Sequence, residues 1–188
     1  MTDTLAERTS HLLEVKHSRF LAQAAPVATP DDALAFLREI AVPDATHNCW
    51  AYRIGGEYRS SDDGEPAGTA GRPILAAIDG QGFDRVMVVV TRWYGGIKLG
   101  AGGLVRAYGG AAAECLRQAP RLPVVAMTSL VLACPFDDLG VVHGALATHL
   151  AVKQDESFDE FGARLVLELP ADRADALKTQ LRDATRNR

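Results

Sequence analysis

The sequence has few cysteines, no long apolar stretch and no excess of basic residues. Its three cysteines, Cys49, Cys115 and Cys134, are an odd number without CxxC spacing, which argues against a disulfide framework and a structural zinc site. No apolar run reaches the roughly 18 residues of a membrane-spanning helix, and residues 1–15 lack the basic start and apolar centre of a signal peptide. The net charge of -4 gives no global signature of nucleic-acid binding. We therefore expect a cytoplasmic protein with no membrane partner, in which any nucleic-acid contact is local.

The length and composition permit two globular domains. The chain has 188 residues, of which 47% are hydrophobic, as is ordinary for a soluble protein that buries a core. A segment with two prolines, APRLP at residues 119–123, interrupts the periodic pattern and predicts a linker. We therefore expect an N-terminal domain over residues 1–121 and a C-terminal domain over residues 122–188.

Hydrophobic periodicity predicts an α+β fold in both parts. In the first part we expect strands at 18–24, 47–54, 57–61 and 86–90, with helices that begin at Pro30, at Pro73 and after the glycines of residues 95–103. In the second part, segments at 124–134, 137–149, 150–157, 162–169 and 171–184 give the order β-α-β-β-α, which suggests a ferredoxin-like α/β sandwich. Such a fold normally closes with one more strand. Residues 182–188 are short and polar, so we expect that last strand to be missing or frayed.

A glycine-rich stretch, RWYGGIKLGAGGLVRAY at residues 92–108, follows an apolar strand and leads into a helix. Because glycine supplies no side chain, such a cluster indicates special backbone angles or a close approach to the main chain. Neither the P-loop spacing nor the dinucleotide-binding fingerprint is present. The bracketing basic residues, with Arg106 expected in the first turn of the helix, favour an anion or nucleic acid as the ligand. The predicted binding residues are Arg92, Tyr94, Gly95, Gly96, Lys98, Gly100, Gly102, Gly103 and Arg106.

A second glycine-rich loop, SDDGEPAGTAGRP at residues 61–73, also precedes a helix. The free backbone N–H groups at the start of that helix form another candidate anion site. Its predicted residues are Gly68, Thr69, Gly71 and Arg72.

The acidic residues of the second loop form a further candidate site, for which three interpretations are open. They could hold Mg²⁺ through carboxylates, pair with the basic residues of the first loop, or form a solvated turn. His47 and Cys49 share one face of a predicted strand, but no third residue orients them as a catalytic pair, so we expect Cys49 in the core. The residues of this loop site are His47, Asp62, Asp63 and Glu65. We predict neither a resident metal ion nor a cofactor.

Three segments resemble the IMPACT family, and its bacterial YigZ-like branch in particular. They are DATHNC at residues 44–49, SDDGEPAGTAGRPIL at 61–75 and VVTRWYGGIKLGAGGLVRAY at 89–108. The resemblance extends from Ser18 through the C-terminal domain, although Trp93 and Tyr94 stand where the family more often has Tyr-Phe. It implies an N-terminal α/β sandwich similar to domain 2 of ribosomal protein S5. It also implies a C-terminal ferredoxin-like domain resembling one in elongation factor G.

The resemblance implies a function in translation. Eukaryotic members regulate translation initiation by competing for the activator of a starvation-responsive kinase that bacteria lack, and bacterial members look like nucleic-acid- or ribosome-associated proteins. We therefore predict a non-enzymatic regulator associated with translation, which binds RNA, the ribosome or another anionic partner through the two glycine-rich loops. One alternative is an enzyme or small-ligand binder that uses Asp62, Asp63 and Glu65 with Mg²⁺ and a phosphorylated ligand. The other is a protein–protein adapter. The sequence predicts no oligomeric state.

Overall fold

Ten strands, five α-helices and two short 3-10 helices lie within residues 2–185, the part of the chain that the computed structural model describes. The chain divides into two units between Val124 and Val125. The first unit contains strands β1 (Asp3–Leu5), β2 (Thr9–Val15), β3 (Ser18–Pro26), β4 (His47–Ile54), β5 (Glu57–Ser61), β6 (Val86–Trp93) and β7 (Arg121–Pro123), and helices α1 (Pro30–Ile40), α2 (Gly71–Gly80) and α3 (Gly100–Arg117). The second unit contains β8 (Met127–Cys134), α4 (Leu139–Thr148), β9 (Val152–Phe158), β10 (Ala163–Pro170) and α5 (Ala174–Ala184). Over residues 2–185, no helix has the length and apolar character to cross a membrane.

An antiparallel sheet of five strands, in the order β2-β3-β6-β4-β5, forms the centre of the first unit. Val86, Val88 and Val90 of β6 belong to the core that α2 and α3 cover, whereas Met87 and Val89 belong to the core that α1 covers. Because both faces of β6 are covered, this strand is a continuous apolar run rather than an alternating one. The same division places Cys49 and Ala51 of β4 on one face and Tyr52 on the other.

The predicted start of α1 is confirmed. The side chain of Thr29 accepts a hydrogen bond from the Asp32 amide, and the Asp32 carboxylate accepts one from the Thr29 amide. This capping box, with Pro30 at the first helical position, satisfies N–H groups that a helix start otherwise leaves without partners.

Three strands of the first unit were not predicted. β2 pairs with β3 through a tight turn at Lys16 and His17, whose φ angles are +47° and +66°. Such turns usually contain glycine or asparagine, so the sequence carries no signal for this one. β1 pairs with β7, and Asp3 lies opposite Pro123 in the register. The predicted linker at 119–123 is therefore wrong, because residues 121–123 are a strand of the first unit.

The second unit has the predicted β-α-β-β-α order. Its antiparallel sheet has the order β8-β10-β9, and Leu165, Leu167 and Leu169 of β10 pack into one core with residues of α4 and α5. Residues 182–184, where a closing strand was considered, belong to α5. Up to residue 185 this sheet has three strands, and residues 186–188, the rest of the segment in which the closing strand was expected to be missing or frayed, lie outside the described residues.

Candidate functional site

The two glycine-rich loops of the first unit border one cavity of about 490 Å³, called the loop cavity below. The second loop contributes Glu65, and the first contributes Lys98 together with the start of α3. The beginning of β4 supplies His47, and the end of β6 supplies Arg92 and the adjacent Tyr94. The cavity volume lies within the usual range for small-ligand sites.

The Glu65 carboxylate is the most enclosed charged group of the loop cavity. Its side chain is 4% exposed, and that of its partner Arg92 is 6% exposed. Glu65 Oε1 accepts hydrogen bonds from Arg92 Nη1 at 2.6 Å and from the Tyr108 hydroxyl at 2.7 Å. Arg92 Nη2 also donates to Ser18 Oγ at 3.3 Å. Structural pairing, one of the three interpretations of the acidic loop, therefore holds for Glu65.

His47 lies beside the remaining oxygen of Glu65. Its Nδ1 is 2.7 Å from the backbone carbonyl oxygen of Asp63, and its Nε2 is 3.7 Å from Glu65 Oε2. Because a carbonyl oxygen can only accept a hydrogen bond, Nδ1 carries the hydrogen in this contact. When His47 is neutral, Nε2 is therefore the ring nitrogen with the free lone pair.

Asp62 occupies the N-terminus of α2, so the prediction that this helix start binds an external anion is wrong. Its Oδ2 accepts from the amide of Gly68 at 2.8 Å, and its Oδ1 accepts from the amides of Ala70 and Gly71 at 3.1 and 2.8 Å. Partial burial acts to raise the pKa of this carboxyl, but the three backbone donors outweigh burial and hold the pKa below its usual value. The N–H groups predicted to be free for a ligand are thus bound by the protein's own carboxylate.

The other members of that predicted site are also occupied or turned to solvent. The Thr69 hydroxyl donates to the Pro66 carbonyl at 2.6 Å, and Arg72 is exposed. Neither residue lines the loop cavity.

The acidic residues of the second loop do not converge as a metal site. Asp62 binds the start of α2, Glu65 pairs with Arg92, and Asp63 Oδ2 accepts from the Asn48 amide at 2.7 Å. Within residues 2–185 there is no group of three or more His, Cys, Asp or Glu side chains placed to hold a metal ion. The Mg²⁺ interpretation of this trio therefore has no support in its geometry.

Backbone geometry accounts for the first-loop glycines at residues 95, 96 and 100. A Cβ atom on Gly95 would overlap the backbone carbonyl of His17, so only glycine fits there. Gly96 and Gly100 have φ angles of +88° and +74°, which other residues rarely adopt. Both reasons given for the cluster, close approach and special backbone angles, therefore apply.

The start of α3 faces the loop cavity without a side-chain cap. Gly100 and Ala101 line the cavity, and no side chain within residues 2–185 caps the first turn of this 18-residue helix. The exposed Lys98 stands beside it and forms no ion pair with any residue between 2 and 185. The positive end of the helix dipole and this lysine therefore both favour a negatively charged group in the cavity.

Arg106 lies elsewhere and is not in the first turn of α3. It borders a separate depression with Lys16 and Leu99 rather than the loop cavity. The other predicted residues outside the cavity lining are Gly68, Gly71, Gly95, Gly96, Gly102, Gly103, Asp62 and Asp63. The first loop thus contributes Arg92, Tyr94, Lys98 and Gly100 to the site.

Tyr108 was not among the predicted site residues, yet its hydroxyl holds Glu65 in place. A buried tyrosine hydroxyl needs a partner, and this was the signal available in the sequence. Burial raises the pKa of Tyr108, and burial also raises the pKa of the Cys49 thiol to about 12. Cys49 is therefore an unreactive core thiol at neutral pH, in line with its predicted burial.

Comparisons with known proteins agree with this two-part architecture. A family model described as "Impact N-terminal domain" matches residues 16–116, and one described as "Domain of unknown function (DUF1949)" matches residues 132–188. The chain is 54% identical to "IMPACT family member in pol 5'region" of Thermus thermophilus, over 83% of this chain and 86% of that protein. It is 37% identical to "IMPACT family member YigZ" of Escherichia coli, over 92% of this chain and 88% of that protein. A solved structure titled "Crystal structure of an hypothetical protein" matches with a TM-score of 0.75 and 34% identity, over 100% of this chain and 95% of the other.

Proposed function

The chain belongs to the IMPACT family, in its bacterial YigZ-like branch, and from that premise we propose that it is a non-enzymatic regulator associated with translation that binds RNA at the loop cavity. The RNA is either free or part of the ribosome, and in both cases the recognised group is a backbone phosphate. The observation that carries the proposal is the uncapped start of α3 beside the unpaired Lys98 in the cavity wall. Such a helix start, together with a lysine, is a favourable site for a phosphate group.

The charge balance of the cavity supports a single phosphate contact rather than a broad basic surface. Arg92 and Glu65 neutralise each other across 2.6 Å, so the excess positive charge comes from Lys98 and the α3 dipole. Tyr94, which is 46% exposed at the cavity edge, offers a ring face on which an unpaired base can stack. These features favour single-stranded RNA over a duplex, whose bases are already stacked.

Charge reversal at Lys98 tests the proposal. Fluorescence anisotropy with a labelled single-stranded RNA should show binding that weakens with salt, and Lys98→Glu should lower the affinity at least about 10-fold. The slope of log affinity against log salt should also fall by about 0.7, the value for one phosphate contact on a single strand.

Arg106→Glu is the matched control, because it makes the same charge change on an exposed residue outside the loop cavity. Its effect should be clearly smaller than that of Lys98→Glu. Equal effects of the two variants, or undiminished binding by Lys98→Glu, would contradict the site assignment. Absence of RNA binding by the unaltered protein would contradict the proposed function itself.

A small phosphorylated ligand is the second candidate, favoured by the cavity volume of about 490 Å³ and by the buried Glu65 and neighbouring His47 in the cavity wall. Isothermal titration calorimetry with mononucleotides and sugar phosphates, each with and without Mg²⁺, would test this alternative. Saturable heat with one of them, competing with RNA, would favour the small ligand. No heat with any of them would remove its support.

A further inference from the structure

We propose that Glu65 and His47 recognise the ribose 2′-hydroxyl, so that the loop cavity selects RNA over DNA. This inference rests on the proposed function and adds to it the residues that determine the class of nucleic acid. Phosphate contacts alone position a strand without distinguishing the two sugars, whereas a contact to the 2′-hydroxyl does distinguish them.

The observation behind it is an oxygen of Glu65 that has no hydrogen-bond partner in the described part of the chain. Both protein donors of this carboxylate, Arg92 and Tyr108, contact Oε1. Oε2 accepts no hydrogen bond from residues 2–185, since His47 Nε2 at 3.7 Å is beyond hydrogen-bonding distance. The side chain is 4% exposed and belongs to the cavity wall. Within residues 2–185, Arg92 Nε is the one fully buried side-chain nitrogen or oxygen without a partner, so Oε2 is not fully buried and a ligand in the cavity can reach it with a donor. A hydrogen bond donated to a charged carboxylate is stronger than one between neutral groups.

The position of His47 makes a hydroxyl group a good match for this oxygen. An oxygen atom at about 2.8 Å from both Glu65 Oε2 and His47 Nε2 completes a triangle with their 3.7 Å separation. That hydroxyl can donate its hydrogen to Oε2 and accept one from a protonated Nε2, or donate to either atom when the imidazole is neutral. A 2′-hydroxyl has this dual capacity, and a deoxyribose has neither part of it.

The charge pairing around Glu65 allows a carboxylate to stand close to a phosphate-bearing strand. Because Arg92 neutralises Glu65, the carboxylate can accept a sugar hydroxyl while the phosphate is held at Lys98 and the start of α3. Acidic residues that accept a ribose hydroxyl near a helix-bound phosphate are a familiar arrangement in nucleotide recognition.

The test compares three single strands of identical sequence with the unaltered protein: RNA, DNA and 2′-fluoro RNA. The fluorinated strand keeps the sugar pucker of RNA but cannot donate a hydrogen bond. We expect RNA to bind at least about 10-fold more tightly than both DNA and 2′-fluoro RNA in fluorescence anisotropy, because a hydrogen bond to a charged acceptor is lost in each. Equal binding of 2′-fluoro RNA and RNA would overturn the inference, since sugar shape would then explain the preference.

The variant Glu65→Gln assigns the preference to the cavity. The RNA-to-DNA affinity ratio of this variant should fall to about one-tenth of the original ratio, because the charged acceptor of the hydrogen bond is lost. DNA should bind no more weakly than before, because removing a negative charge does not repel a phosphate. Glu7→Gln makes the same charge change at an exposed position and should keep the original ratio. An unchanged ratio in Glu65→Gln overturns the inference. If Glu65→Gln fails to fold, the comparison of RNA with 2′-fluoro RNA on the unaltered protein still tests whether the 2′-hydroxyl is recognised, and equal binding of the two still overturns the inference.

The possible failures are distinguishable. RNA and DNA that bind equally, with affinity that depends on Lys98, would refute ribose recognition and leave the proposed function intact. If neither strand binds, the proposed function fails and the inference fails with it.

Discussion

The buried pair of Glu65 and Arg92 should be strongly coupled in stability, and a double-mutant cycle can measure this. The variants are Glu65→Leu, Arg92→Met and the two combined. Each single variant leaves one charged side chain, 4% or 6% exposed, without its opposite charge. Removing one partner of a buried ion pair typically costs about 3–5 kcal/mol of unfolding free energy. In Glu65→Leu the buried Tyr108 hydroxyl also loses its acceptor, which places that variant at the upper end of the range.

The combined variant should be more stable than the sum of the two single effects predicts. Replacing both charges by apolar side chains leaves no uncompensated charge, and such replacements are often close to neutral. Because Tyr108 and Ser18 still lose a partner, we expect a net loss of about 2–4 kcal/mol for the pair. The coupling energy of the cycle should therefore be at least about 2 kcal/mol.

Tryptophan fluorescence during urea unfolding is a suitable assay. Both tryptophans, Trp50 and Trp93, lie in the first unit, so their emission reports on the unit that contains the pair. Unfolding of the second unit is then not mixed into the measured transition.

A surface pair in the same unit provides the control cycle. Arg8 and Glu39 form two hydrogen bonds, but their side chains are 58% and 55% exposed. Solvent screens such a pair, so its coupling energy should be much smaller than that of Glu65 and Arg92. Additive effects of Glu65→Leu and Arg92→Met, or equal coupling in the two cycles, would refute the view that burial makes the cavity pair interdependent.

Two further predictions concern the loops themselves. Gly95→Ala should lower the unfolding free energy by about 3 kcal/mol or more, because the added Cβ would overlap the His17 backbone. Gly102→Ala is the control and should be tolerated, because its Cβ would meet only the Arg106 side chain. Similar urea midpoints for the two variants would contradict this prediction. Asp62→Asn should weaken the start of α2 and flatten the pH dependence of stability in acid. Because the pKa of Asp62 is lower in the folded protein, its carboxylate stabilises the fold above the ordinary pKa of 3.8, and this stabilisation is lost as pH falls through the folded pKa. If Asp62→Asn leaves the dependence of stability on acidic pH unchanged, Asp62 does not stabilise the start of α2 in this way.

Local patterns were sufficient to predict most elements of the fold. The Thr29 cap and Pro30 mark the start of α1, and the alternation of Leu165, Leu167 and Leu169 marks the buried face of β10. The pairing of β1 with β7 could not be predicted, because it joins residues more than a hundred positions apart and each strand has three residues. The turn at Lys16 and His17 was missed because its positive φ angles occur without glycine.

The location of the candidate site could be predicted from the sequence, but the hydrogen bonds and ion pairs within it could not. The two glycine-rich loops indicated that region, and the loop cavity lies between them. Sequence spacing does not show which carboxylate serves which partner, because that depends on side-chain direction in folded loops. Of the two helix starts predicted to face an anion, that of α2 is filled by Asp62, whereas that of α3 faces the cavity.

A count of basic residues therefore overstates how strongly this site attracts an anion. Arg92 is neutralised by Glu65, and Arg106 lies outside the cavity, which leaves Lys98 with the start of α3. One lysine and one helix end suffice to hold a phosphate but provide little affinity for a polyanion at physiological salt. Useful affinity then requires additional contacts within the cavity, and the walls that could supply them carry Tyr94, His47 and the open oxygen of Glu65. A site built in this way depends more on hydrogen bonding and stacking than on charge, so it should retain more of its affinity at high salt than a basic patch would.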